Sequence, residues 1–331
     1  TSFTSFFNSL EFSSVIYALR QSIFESSLLF FASIMLTEPQ TSPSTKKLQI
    51  WYAVFVAFLY TTPQLRFLGI EFTPEAALCI GNVFSYFINP NYRLKLVLKE
   101  RIQLAHDTFA FVFSYISNFK FTPGQYLEWT LQHKKTDSRG NRRYFSLASS
   151  PTEESLMIAV KFYERCSSYK KALVSLPVGS AITASSLAGD FVMPKDTKKP
   201  LVFVAGGVGI TPFRSMAKYI IDNKLDVNII LVFINKAFED ILYKDILEAA
   251  QGFGIKTIHV LTDESRLPLG FGGPHGHLTD KMVKEIIPDY ETRIFYISGP
   301  QLMVKNIEKI LLDMKISKSK IKTDFFPGYV D

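Results

Sequence analysis

Leu201-Val202-Phe203-Val204-Ala205 runs without a break into Gly206-Gly207-Val208-Gly209-Ile210-Thr211-Pro212, and no other stretch limits the possible folds as much. A short, β-branched apolar run suits a central parallel strand buried on both faces. Glycines straight after it let backbone amides approach an anion with no Cβ between them, and Thr-Pro opens a helix whose positive end points to the same place. From these residues alone, an ordinary tight turn between strand and helix reads the same way. The rhythm continues, however, with strands at 227–233, 257–261 and 294–298 and helices at 213–221, 242–250, 280–286 and 302–314. This alternation predicts a doubly wound parallel α/β sheet. Tyr296-Ile297-Ser298-Gly299-Pro300 puts a second turn at the carboxyl edge, where such sheets bind ligands.

Upstream the pattern differs. Residues 92–100, 108–114, 126–131 and 156–162 form short β-branched and aromatic runs between Gly and Pro signals, which predicts an antiparallel β-barrel. Among them stands Arg143-Tyr144-Phe145-Ser146-Leu147-Ala148-Ser149. Arg143 offers a planar fork of donors suited to a pyrophosphate, Phe145 can lie flat on a ring system, and Ser146 can hydrogen-bond a ring edge. In isolation, Arg142 and Arg143 read as a solvated charged turn. Ser167 and Ser168, placed before Tyr169 to Leu173 as a helix start, add a second anion-binding candidate. Two phosphate-handling signatures in this order suggest two nucleotides held face to face, as a hydride-transferring flavoprotein requires.

Composition narrows the alternatives. The 331 residues are 47% hydrophobic, enough for two or three domains with real cores. The net charge of +7 comes from scattered residues, not from a basic run interleaved with aromatics, so a nucleic-acid face is not expected. The positive balance leans toward dinucleotide phosphate or anionic lipid. Cys79 and Cys166 are the only cysteines and form no CxxC, which argues against an iron–sulfur cluster or structural zinc. The five histidines, His106, His133, His259, His275 and His277, all follow residue 100, so the apolar first third offers no imidazole to a haem.

Composition shifts sharply at Asn89 to Asn91. Before it, charges are sparse and three apolar runs appear at 26–36, 50–59 and 76–88. Each is shorter than the roughly 20 residues of a typical span, though uncharged polar flanks lengthen all three. A buried helical bundle is the alternative. Trp51, Tyr52, Tyr60, Tyr86 and Phe87 suit membrane interfaces, and Lys46, Lys47, Arg93, Lys95 and Lys99 would share the cytoplasmic side while only Arg66 lies outside. The expected division is therefore a membrane helical segment over 1–90, an antiparallel β-barrel over 91–197 and a doubly wound α/β domain over 198–331, the last two being, by the resemblance given next, the FAD-binding and NAD(P)-binding domains. The chain opens at Thr1 with no basic segment ahead of an apolar run, so a signal peptide is not expected, and a fragment of something longer is.

From Tyr92 onward the sequence resembles the ferredoxin–NADP reductase superfamily, through Phe121-Thr122-Pro123-Gly124-Gln125-Tyr126, Arg143 to Ser149, Ser167-Ser168, Gly206 to Pro212 and Ser298-Gly299-Pro300. The resemblance implies that Arg143, Tyr144, Phe145, Ser146, Val160, Phe162, Ser167 and Ser168 meet FAD. It also implies that Gly206, Gly207, Gly209, Thr211, Pro212, Gly299 and Pro300 meet NAD(P)H, with Ser146 and Ser298 beside the reacting atoms. Two positions depart from the family pattern. The usual Tyr of the flavin motif is Phe145, and the usual Cys before Gly-Pro is Ser298. Phe326, in the tail Asp324 to Tyr329, is placed either over the flavin or in plain packing. Asn235 and Lys236 sit where the second strand would read the adenosine ribose. No Ser-Arg pair of the NADP-selective kind is present, and 235–242 is similar to NAD-using cytochrome b5 reductases, which leans toward NADH.

The first third is similar instead to the last membrane helices of the flavin-carrying subunit shared by Rnf and sodium-pumping NADH:quinone oxidoreductases, through Phe30-Phe31 and Met35 to Pro43. That family's covalent-flavin threonine motif has no counterpart here. The combined expectation is a membrane-anchored flavoprotein reductase with its reductase domains on the cytoplasmic side. It would pass hydride from NAD(P)H to FAD and electrons to a membrane flavin, a quinone or a small carrier protein. A soluble or peripherally anchored reductase and a non-enzymatic docking subunit are the rivals. A haem-carrying ferric reductase or NADPH oxidase is disfavoured by the missing membrane histidines.

Overall fold

The computed structural model describes residues 17, 20, 30–38, 41–43, 46–61, 73–88, 93–115 and 119–326. The chain divides into two units, Thr1–Asn91 and Tyr92–Asp331.

In the first unit, a π-helical turn at Phe31–Met35 precedes α1 (Lys46–Thr61) and α2 (Pro74–Ile88). Prolines set both helix lengths. α1 stops shortly before Pro63, whose ring disfavours helix in the residue preceding it. α2 starts with Pro74 behind the Thr73 hydroxyl, which accepts from the Ala76 amide at 3.2 Å. The two helices meet over a small core of Phe31, Tyr52, Val56, Ala77 and Leu78. At Gly81 the approach is so close that a Cβ would lie 2.3 Å from Val56. The Tyr52 hydroxyl donates to Asn82 at 2.7 Å.

The expected membrane helices are not found among the described residues: no helix there is long and apolar enough to cross a membrane. The 16 residues of α1 reach about 24 Å, against a hydrocarbon core about 30 Å thick. Much of the first expected run, and the segment 62–72, lie outside the described residues.

The second unit opens with six antiparallel strands, β1 (Leu94–Ala105), β2 (Thr108–Tyr115), β3 (Tyr126–Thr130), β4 (Arg142–Ser146), β5 (Leu156–Lys161) and β6 (Ala181–Ala188). They pair in the order β4-β3-β6-β1-β2-β5. β4 and β5 are left as edges, so the expected barrel is a half-barrel. β1 shows the cause of its curl. Leu94, Leu96 and Leu98 face inward while Lys95, Val97 and Lys99 face out, and irregularities after Leu98 and Gln103 bend the strand. Phe111, Phe113, Leu127, Trp129 and Ile158 fill the concave side, with Tyr169 and Leu173 from α3 (Ser168–Val174).

Then come β7 (Leu201–Gly206), α4 (Thr211–Asp222), β8 (Ile229–Asn235), α5 (Lys244–Gln251), β9 (Ile255–Leu261), α6 (Asp280–Ile286), β10 (Ile294–Pro300), α7 (Gln301–Asp313) and β11 (Ile321–Phe326). The strands form one parallel sheet in the order β11-β10-β7-β8-β9. Alternate residues of β7 serve opposite layers. Leu201, Phe203 and Ala205 pack with Phe213, Met216 and Leu247 from α4 and α5, while Val202 and Val204 pack with Val283, Val304 and Leu311 from α6 and α7. The strand order reverses between β7 and β10, which opens a crevice at their carboxyl ends.

At the opposite, amino edge, the buried Arg293 guanidinium donates to the carbonyls of Leu201 (3.1 Å) and Asn228 (3.4 Å) and to the Asp289 carboxylate (2.7 Å). The two lobes of this unit are joined by Arg214 of α4, 5% exposed, which reaches across to the Ala148 carbonyl at 3.1 Å and makes a bidentate pair with Glu153. The Ser215 hydroxyl donates to the Ser149 carbonyl at 2.6 Å.

Candidate active site

The crevice is built from backbone contact. A Cβ on Gly209 would lie 2.3 Å from the Ser298 carbonyl oxygen, and one on Gly206 would lie 2.4 Å from Met303 Sδ. The turns after β7 and β10 therefore touch, and only glycine permits it. Gly207 differs: it takes φ +51° and a Cβ there would meet nothing within 4 Å. Its backbone is turned into open space by a left-handed conformation rather than by crowding. The Thr211 hydroxyl is used within the turn, donating to the Val208 carbonyl at 3.1 Å, and Thr211 and Pro212 are both buried. Pro300 is exposed at the rim.

Ser298 is fully buried and its hydroxyl has no hydrogen-bond partner among the described residues. Beside it in the parallel register lies Asp324 of β11. Asp324 in turn accepts a 3.5 Å hydrogen bond from the Ser146 hydroxyl, across the junction from β4 of the half-barrel. Burial pushes the Asp324 carboxyl up to about 6, with the Ser146 hydrogen bond pulling the other way. Tyr126, next to Ser146 in the β3–β4 pairing, has its hydroxyl pKa raised by burial and by the charges of Asp324 and Asp190. Of the expected pair, the Ser146 hydroxyl reaches an acid that the sequence presented only as part of an aromatic tail, and Ser298 neighbours that acid in strand register. The backbone of Phe326 ends beside Pro300, and its side chain lies outside the described residues.

On β4, Arg143 and Phe145 share one side of the strand and both lie against Tyr169, with the guanidinium 5.2 Å and the Phe145 ring 5.9 Å from its ring centre. Tyr144 points the other way and is exposed, edge-on to Tyr126. Arg143 was expected to aim free donors at a phosphate. Its Nη1 instead donates to the carbonyls of Arg139 and Gly140 at 3.0 Å each, and Nη2 donates to Asp137 at 3.0 Å. The Ser168 amide donates to the same carboxylate at 3.1 Å, and Ser167 caps α3 through its bond from the Lys170 amide. Burial opposes ionisation of Asp137, but the hydrogen bonds from Ser168, Arg139 and Arg143 outweigh it and hold the carboxyl down at about 2. The donors expected to meet a pyrophosphate therefore do gather around an anion, and the donor set fits that chemistry.

Val160 is in the half-barrel core at 2% exposure, so only its backbone is presented outward. Phe162 lines a cavity of about 570 Å³ with Phe109, Tyr163, Cys166 and Lys171. Asn235 is 4% exposed with neither side-chain amide atom hydrogen-bonded, and Lys236 is exposed. Arg266, a cation the sequence reading did not consider, donates to Glu239 at 2.8 Å beside this strand end. Among the described residues, no group of three or more His, Cys, Asp or Glu is placed to hold a metal.

Residues 203–309 match the oxidoreductase NAD-binding domain family. The flavohemoprotein of Bacillus cereus is 30% identical over 219 residues, which cover 62% of this chain and 53% of that protein. The glycine betaine monooxygenase reductase subunit of Chromohalobacter salexigens is 28% identical over 211 residues, 62% of this chain and 55% of its own. The chain thus spans about half the length of the curated relatives it matches. Among solved structures, the flavohem-like FAD/NAD-binding domain of nitric oxide dioxygenase from Vibrio cholerae superposes with a TM-score of 0.62 at 19% identity, covering 70% of this chain and 98% of that domain. None of these four similarities points to a fused Rnf or sodium-pump membrane subunit. The half-barrel followed by a parallel nucleotide lobe is thus the fold of an FAD/NAD-binding reductase domain, and its second lobe matches an oxidoreductase NAD-binding domain.

Proposed function

We propose that residues 93–326 bind FAD along the Arg143–Phe145 side of β4 and NADH in the β7–β10 crevice, and that electrons then leave to an acceptor outside these residues. The observation that carries this reading is the meeting of Ser146, Asp324 and Ser298 at the junction of the two lobes. FAD supplies a ring system that accepts two electrons as hydride and releases them singly. The protein's part is placement. Phe145 offers a flat apolar surface to the ring, and Arg143 with the Ser168 amide takes the pyrophosphate. The open Gly207 backbone receives the second dinucleotide. Ser298 lines the buried side of the nicotinamide crevice, and Ser146 with Asp324 holds a proton where the two ring systems meet. The Arg214–Glu153 bridge fixes one lobe on the other, so both nucleotides are held in one geometry.

The relatives named as a flavohemoprotein and a monooxygenase reductase subunit favour a haem or iron–sulfur protein as acceptor. The first histidine of this chain is His106, so residues 1–105 supply no imidazole to such a haem. NADH is preferred over NADPH because Arg266 is already paired with Glu239, leaving Lys236 as the cation at the end of β8. Attachment of residues 1–91 to the cytoplasmic face of a membrane rests on exposed apolar side chains, among them Trp51 at 67% and Phe87 at 79%. Recovery of the whole chain in the supernatant after cell disruption at low salt would remove that part of the reading.

The visible spectrum of the purified protein before and after NADH tests the core claim. A yellow preparation that NADH bleaches is expected, and a colourless protein that takes up no added FAD sinks the proposal.

A further inference from the structure

We propose that Asp137 is a built-in anion that competes with FAD for the pyrophosphate donors and leaves them when FAD binds, so that this one carboxylate sets how tightly FAD is held. The inference rests on the flavin site proposed above.

The Asp137 carboxylate takes what a phosphate would take. Oδ1 accepts from Arg143 Nη2 at 3.0 Å and from the Arg139 amide at 3.0 Å, and Oδ2 accepts from the Ser168 amide at 3.1 Å. The fit is reciprocal, because the Asp137 amide donates to Ser168 Oγ at 3.0 Å, an atom that also contacts His133 Nε2 at 3.0 Å. Nη1 of Arg143 is meanwhile spent on three carbonyls, those of Arg139, Gly140 and Arg142. A pyrophosphate brought to these donors meets a like charge at hydrogen-bonding distance, an arrangement that one of the two must leave.

The residue that moves is Asp137. Arg143 is anchored through β4 and over the Tyr169 ring, which is itself in the half-barrel core. Asp137 sits in the connection between β3 and β4, where Lys135 takes φ +56° and Gly140 takes φ +67° with open space around it. Asp137 is also the only acid between residues 132 and 143, a segment that carries Lys134, Lys135, Arg139, Arg142 and Arg143. Once its carboxylate turns away, every remaining charge of that segment attracts a pyrophosphate.

The test uses the full chain, stripped of FAD and retitrated by the quenching of flavin fluorescence, in wild type, Asp137→Asn and Asp137→Ser. Removing the competing charge is expected to lower the FAD dissociation constant about tenfold. Melting without FAD should show the opposite order, with the variants less stable than wild type because Arg143 and the Ser168 amide have lost their partner. The serine variant keeps a short acceptor for that amide and serves if the asparagine variant does not fold. Arg143→Ala should weaken FAD binding whether or not Asp137 is present. Variants that bind FAD no better than wild type, or worse, overturn the proposal and make Asp137 a residue that orients Arg143. A wild-type protein that takes up no FAD at any concentration removes the flavin reading itself, and this inference with it.

Discussion

The Ser146 hydroxyl, on β4 of the half-barrel, lies 3.5 Å from the carboxylate of Asp324, on the edge strand of the parallel sheet 178 residues later. One hydrogen bond therefore connects the two lobes at the point where their ligands are proposed to meet.

That acid makes stability depend on pH in a defined direction. Its folded-state value of about 6 stands above the ordinary 3.8, so the folded state holds the proton more tightly than the unfolded chain. The resulting stabilisation is full below about pH 3.8 and is lost as pH rises through about 6. Asp324→Asn should remove this component, so that the difference in melting temperature between variant and wild type moves in the variant's favour from pH 5 to pH 7.5. A difference that stays constant over that interval contradicts the assignment.

The two turn glycines should separate cleanly. Gly207→Ala meets no atom and costs only the left-handed backbone, about 1–2 kcal/mol, so the variant should fold, keep FAD and need more NADH for half-maximal dye reduction. Gly209→Ala drives a methyl into the Ser298 carbonyl and should disrupt the crevice itself, lowering both melting temperature and turnover. Dye-reduction kinetics and thermal melts on the pair provide the comparison.

Arg214→Ala leaves Glu153 and the Ala148 carbonyl without their partner at the lobe junction, at a cost of about 2–4 kcal/mol. Urea unfolding should show a lower midpoint and a broadened transition as the lobes begin to separate independently.

Nucleotide choice can be probed at Glu239. Glu239→Gln releases Arg266 for a 2′-phosphate and should improve NADPH use relative to NADH. Both groups are exposed and solvent screens the pair, so the gain should be small. Initial rates with both nucleotides measure it.

Much of the parallel lobe was legible because its signals are local. The helix expected at 280–286 is found at Asp280–Ile286, and strands expected at 257–261 and 294–298 are extended at one end as β9 and β10. β6 gave no signal. Its Ala-Ile-Thr-Ala-Ser-Ser-Leu-Ala run has little intrinsic strand preference and is held by pairing with β1 and β3, partners that are distant in sequence. Asp324 was illegible for a related reason, since its role depends on β11 lying in register with β10. The apolar first third misled on helix length because composition counts residues, whereas Pro63 and Pro74 bound the helices that form. For Arg143, the type of side chain suggested a phosphate partner, and the anion beside it in the structure is Asp137 of the chain itself.

Arg293 also sets where this molecule can give way. Its guanidinium pins the starting ends of β7, β8 and β10 like the rivet of a hand fan, while the far ends of β7 and β10 carry the glycine turns. A strand fastened at one end can adjust only by splaying at the other. Adjustment in this sheet is thereby left to the tips beside Gly207 and Ser298, away from the end that Arg293 holds.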